Sequence, residues 1–114
     1  MPLITPTRTL QVVMYLARTN SHFPDRELTM CEAYANAFNW GIDLIVMDDE
    51  APRRAPEHRP MLRAALQRLL DKQAGAILVP SRATISPIEG EFNDFAKQVE
   101  KASGFIQVAT RRCA

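Results

Sequence analysis

The run Leu10 to Ala17, LQVVMYLA, is almost wholly apolar and too short for a stable helix, and it breaks at once into the polar turn Arg18-Thr19-Asn20-Ser21. A short Val- and Leu-rich run of this kind is a strand covered on both faces. Such a strand demands a layer above and a layer below, which commits the chain to a layered α/β arrangement. In open α/β sheets, ligands and catalytic groups gather at the carboxyl ends of strands. The turn after Ala17 is therefore the first place to look for chemistry.

The remaining pattern agrees with that commitment. Leu28, Cys31, Ala35 and Phe38 recur at helical spacing, with Asp25 as the expected cap and Gly41 as the expected stop. Ile42 to Met47 reads as a second strand, with Asp48-Asp49-Glu50 at its carboxyl end. Ala51 to Arg59 reads as a basic, proline-containing loop. Pro60 opens a second helix whose core face is Leu62, Leu66, Leu69 and Leu70 and which stops near Gly75. Ala76 to Val79 is a third strand ended by Pro80. Ser86-Pro87-Ile88-Glu89 has a capping-box pattern. Ile88, Phe92, Phe95 and Val99 then form the face of a third helix, stopped by Gly104, and Phe105 to Val108 is the last strand. The order predicts a three-layer α/β/α sandwich with a mainly parallel sheet of about four strands and right-handed crossovers. One domain is expected over 1–114, with a loose arm at 1–9 and a frayed tail at 110–114.

Composition narrows the function classes. With 114 residues, 46% hydrophobic and 24% charged, the chain has the balance of a globular domain. No segment approaches the roughly 18 apolar residues of a membrane span, and no secretion signal is evident, so a cytoplasmic setting is expected. Net charge is only +1, which argues against a strong nucleic-acid footprint and predicts at most weak or indirect DNA contact. Cys31 and Cys113 form no metal or redox motif. His22 and His58 stand in polar loops without partners at ligand or triad spacing. Asp48 and Asp49 are the type of residue that holds a hard cation, yet no third carboxylate falls at a neighbouring strand end. No metal and no cofactor are expected, and no glycine-rich phosphate loop can be written.

Several motifs, in order, resemble the N-terminal catalytic domain of the serine recombinases, the resolvases, invertases and large serine integrases. Tyr15-Leu16-Ala17-Arg18-Thr19-Asn20 is similar to that family's first-strand motif, which carries a tyrosine, an arginine and the nucleophilic serine. Cys31-Glu32-Ala33-Tyr34-Ala35 and Asn39-Trp40 resemble its first helix and that helix's end. Asp48 or Asp49 stands where an acidic residue follows the second strand, and Arg59-Pro60-Met61-Leu62 matches an Arg-Pro-x-Leu helix opening. Arg82-Ala83-Thr84-Ile85-Ser86-Pro87 occupies the place of an arginine-rich loop.

The resemblance implies a serine hydroxyl that attacks a DNA phosphodiester, with arginines neutralising the phosphoryl charge. Asn20 falls on the nucleophile position, and its amide cannot do that chemistry. The Asp and Arg of the third loop fall on Ala83 and Thr84, and the last Arg on Pro87. The vestigial site expected from the match is Arg18, Asn20, Ser21, Asp48, Arg59 and Arg82. The sequence also stops where the family continues into a dimer helix and a DNA-binding domain. The expectation is a catalytically inactive resolvase-like module that self-associates or binds a recombinase or other DNA-handling protein. Two alternatives stand beside it. One is residual phosphodiester cleavage by Ser21 with Arg18, Arg59 and Arg82. The other is a phosphate-ligand sensor built on Arg18 and Arg59.

Overall fold

The computed structural model describes residues 10–18, 24–49 and 55–109. The elements are β1 (Gln11–Ala17), α1 (Asp25–Ala37), β2 (Gly41–Asp48), α2 (Pro60–Leu70), β3 (Ala76–Val79), α3 (Arg82–Ile85), α4 (Glu89–Lys101) and β4 (Phe105–Val108), with a 3-10 turn at Pro56–His58 before α2. The four strands form one sheet in the order β2-β1-β3-β4, and every pairing is parallel. This is the sheet the strand-helix alternation predicts. The expected arm at 1–9 and tail at 110–114 lie outside the described residues.

Two core clusters show that the sheet is covered on both faces. On one face Val13, Tyr15, Ile77 and Val79 pack with Leu62, Ala65, Leu66 and Leu69 of α2 and Phe95 and Val99 of α4. On the other, Val12, Met14, Leu16, Ala76 and Leu78 pack with Cys31 and Ala35 of α1. Residues 12 to 16 are all fully buried, as a strand sandwiched between helix layers must be. Each large aliphatic chain buried in this way is worth about 1.5–3 kcal/mol. Burial holds the Cys31 thiol in its neutral form and, with Glu27 and Glu32 adding to the effect, pushes its pKa up to about 12.

The helix boundaries depart from the sequence reading in instructive ways. Asp25 is the first helical residue of α1, and the cap position is Pro24, with no side-chain capping bond. The glycines are not the left-handed stops: no described glycine has positive φ, and that conformation falls on Asn39, Lys72 and Ser103. Each of these sits two residues past its helix and begins the same paired closure. Asn39 N–H reaches the Asn36 carbonyl and Trp40 N–H the Ala35 carbonyl. Lys72 and Gln73 repeat this with Leu69 and Arg68, and Ser103 and Gly104 with Glu100 and Val99. These are Schellman closures. The glycines instead serve close packing at strand starts. A Cβ on Gly104 would lie 2.9 Å from the Gly75 carbonyl oxygen and 2.5 Å from Leu69 Cδ2.

Four other expectations need correction. Leu70 is half exposed, and Ala65 takes the core position beside Leu62, Leu66 and Leu69. Ile88 precedes α4 and is exposed. The Ser86–Glu89 capping box does not form, since α4 begins at Glu89. Ser86 Oγ accepts the Ile88 N–H at 3.0 Å and donates to Glu91 Oε1 at 2.7 Å. Phe38, placed by its spacing on the apolar face of the first helix, is exposed and stacks on Trp40 with ring centroids 5.2 Å apart.

Candidate functional site at the carboxyl end of the sheet

The chain reverses direction across the sheet between β1 and β3, since β1 connects leftward to β2 and β2 then crosses to β3 on the other side. The carboxyl ends of β1 and β3 therefore open the crevice in which α/β folds place their ligands. Four sequence elements deliver polar groups there, three side chains and one backbone carbonyl.

From β1 comes Tyr15, fully buried on the α2/α4 face. Its register partner is Val46, so Asp48, two residues further along β2, points to the same face. Tyr15 Oη donates to Asp48 Oδ2. A phenol this deep needs a partner, and Asp48, itself buried, supplies one. Burial first, and the bond to Asp48 second, raise the Tyr15 pKa far above its ordinary value, so the phenol stays protonated.

From the start of α2 comes Arg59. Its extended backbone and the following Pro60 at the first helical position fix the entry of the chain into the helix. The Arg59 side chain is fully buried, the largest such side chain in the core. Its Nη1 donates to the Thr84 carbonyl at 2.8 Å and lies 3.5 Å from Tyr15 Oη. Thr84 belongs to α3, the short helix that occupies what the sequence reading took as a loop. One guanidinium thus ties the start of α2 to the segment after β3, and through Tyr15 and Asp48 to the ends of β1 and β2.

Arg18 and Arg82, the other described sequence candidates, do not join this group. Arg18 lies just beyond β1 and is exposed; its Nε contacts Asp49 Oδ1 at 2.8 Å and its Nη2 contacts Oδ2 at 3.4 Å. A pair this open is worth about 0–1 kcal/mol. Arg82, on α3, lies over the Phe92 ring with its Cζ 4.4 Å from the centroid. Asp48 is the last residue of β2, not part of the loop beyond it. Asn20 and Ser21 lie outside the described residues. His58 is exposed, 3.7 Å from Glu57. Among the described residues no three His, Cys, Asp or Glu side chains converge as a metal site would require. No described helix is long and apolar enough to cross a membrane.

Sequence reasoning passed over two participants, Tyr15 as a hydrogen-bond donor and the Thr84 carbonyl. The first had a signal: a tyrosine in a continuously buried strand must find an acceptor, and Asp48 is the nearest acid on the neighbouring strand. The second had none, because α3 is too short to show a period.

No family model matches the chain, and no curated protein matches it. Solved structures do. The C-terminal catalytic domain of ISC1926 TnpA, an IS607-like serine recombinase, superposes with a TM-score of 0.72 at 13% identity, over 90% of this chain and 72% of that one. The N-terminal catalytic domain of TP901-1 integrase gives 0.73 at 17% identity, over 87% and 76%. The first ORF of transposon ISC1904 from Sulfolobus solfataricus P2 gives 0.59 at 10% identity, over 92% and 70%. This chain has the fold of the serine recombinase catalytic domains.

Proposed function

We propose that this chain is a resolvase-like domain without recombinase chemistry, working as a regulatory module that binds a protein partner. The observation that carries the reading is the place of Arg59. Phosphoryl transfer needs cations that reach a phosphate and neutralise charge as it develops. Arg59, matched to one of those cations, is fully buried and donates to the Thr84 carbonyl. Arg82 is set against Phe92 and Arg18 against Asp49. Asn20 at the nucleophile position adds an amide where the family has a hydroxyl.

The test is affinity capture from the native host with and without nuclease, repeated with Ser21→Ala. A binding module retains the same protein in all samples, because neither DNA nor the Ser21 hydroxyl takes part. Retention of DNA alone, removed by nuclease, would overturn the reading.

A further inference from the structure

We propose that the partner surface includes the open edge of β2 and that a second copy of this chain occupies it, adding its own β2 antiparallel about a two-fold axis at Ile45. This rests on the partner-binding reading above and names the surface. Among the described residues β2 is an edge of the sheet and, at eight residues, its longest strand. Edge strands are ordinarily guarded by charge or proline, because their unpaired N–H and C=O groups template further pairing. This one presents Ile42, Leu44 and Ile45, at 37%, 40% and 40% exposure.

Its two charges face inward. A bulge shifts the register at Asp43, which takes a bidentate bond from Arg68 of α2, both distances 2.8 Å. Asp48 is buried against Tyr15. From Leu44 to Met47 the edge is regular and uncharged.

The alternation of side chains restricts the register to a two-fold through a residue, and Ile45 is the exposed residue of the regular run with a regular neighbour on each side. Leu44 and Val46 align with Val13 and Tyr15 and so share one face of the sheet, whereas Ile45 aligns with Met14 on the other. Antiparallel pairing keeps like faces together only when opposed residues match in this sense. A two-fold at Ile45 satisfies it, setting Ile45 opposite Ile45 and Leu44 opposite Val46, and pairing ends where the bulge at Asp43 breaks the pattern. The same patch meets itself, as a two-fold interface requires. A neutral strip on a chain of net charge +1 brings little repulsion between copies and offers nothing to attract a charged partner. So short a seam buries less than the roughly 1,600 Å² of a standard interface, so the dimer dissociates on dilution.

The experiment is sedimentation velocity on the full chain across a hundredfold concentration range. It is run on the wild type, on Ile45→Lys and on Leu70→Lys, the last an exposed residue on α2. The expected result is a shift from monomer to dimer in the wild type and Leu70→Lys, and monomer throughout for Ile45→Lys. Ile45→Cys in a Cys113→Ser background guards against a misfolded lysine variant. Oxidation should give a disulfide-linked dimer, since Cys31 is buried and does not compete. A wild type that stays monomeric, a dimer indifferent to Ile45→Lys, or no cross-link at residue 45 overturns the proposal. Monomer behaviour alongside capture of a different protein would sink this inference and leave the binding-module reading standing. DNA cleavage would sink that reading whatever the mass.

Discussion

The two ends of the sheet are held together by different means. At the carboxyl end, Arg59, Tyr15, Asp48 and the Thr84 carbonyl join two crossovers to the ends of β1 and β2 through buried polar bonds. At the amino end, α1, α2 and α4 are closed by backbone caps whose left-handed residues are Asn39, Lys72 and Ser103. A buried polar network is stringent, because removing one member strands the others away from water. A cap is tolerant, since water can serve its groups and its residue type affects only local strain. The end where this fold class keeps its chemistry is thus the end least able to tolerate change.

That contrast is broken or sharpened by four substitutions or conditions. The largest effect is expected of Arg59→Ala, which leaves the Thr84 carbonyl and the Tyr15–Asp48 pair without the guanidinium. Removing one partner from a buried polar cluster costs about 3–5 kcal/mol, read as a lower midpoint in urea. Next is Gly104→Ala at the amino end, where the new Cβ meets the Gly75 carbonyl oxygen at 2.9 Å. Backbone cannot yield as a side chain does, and overpacking of this kind costs about 1–3 kcal/mol. A loss as large as that of Arg59→Ala would erase the distinction between the ends.

The third is alkaline pH. Tyr15 and Cys31 both have folded-state pKa values raised above the unfolded ones, Cys31 from 9.0 to about 12. Their stabilisation is therefore complete below about pH 9 and is lost as pH rises, first through Cys31 and then through Tyr15. One pKa unit corresponds to about 1.4 kcal/mol. Urea midpoints should fall between pH 9 and 11, and Cys31→Ala should flatten the early part of that fall. The smallest effect is a gain. Lys72 holds φ of 64°, a conformation that costs a side chain about 1 kcal/mol and glycine almost nothing. Lys72→Gly should raise the thermal midpoint by a few degrees; a fall would show that the Lys72 side chain has a role of its own.

How far the sequence reached follows the same division. The strands and helices were legible because runs such as 76–79 and the leucines of α2 have distinct periods, and the parallel sheet followed from their alternation. The helix stops were misassigned to Gly41, Gly75 and Gly104 because glycine near a helix end ordinarily supplies the left-handed residue. Here those glycines sit at strand starts against the side chains of Gln11 and Leu10 and, for Gly104, the Gly75 carbonyl, contacts which only tertiary packing reveals. The site was half legible. The motif spacing brought out Asp48 and Arg59, whereas Tyr15, although part of the first-strand motif, was passed over as a donor. Burial of Arg59 depends on where α3 carries the Thr84 carbonyl, and four residues leave no pattern to read. The contact of Arg82 with the Phe92 ring joins two different helices and left no mark in the sequence.

The central claim, that the fold is kept while the phosphoryl chemistry is not, is tested most directly by incubating the full chain with supercoiled DNA under denaturing quench and searching for a protein–DNA covalent adduct. The account predicts intact DNA and no adduct for the wild type and Ser21→Ala alike. An adduct formed by the wild type and abolished by Ser21→Ala would contradict it and make this chain an enzyme.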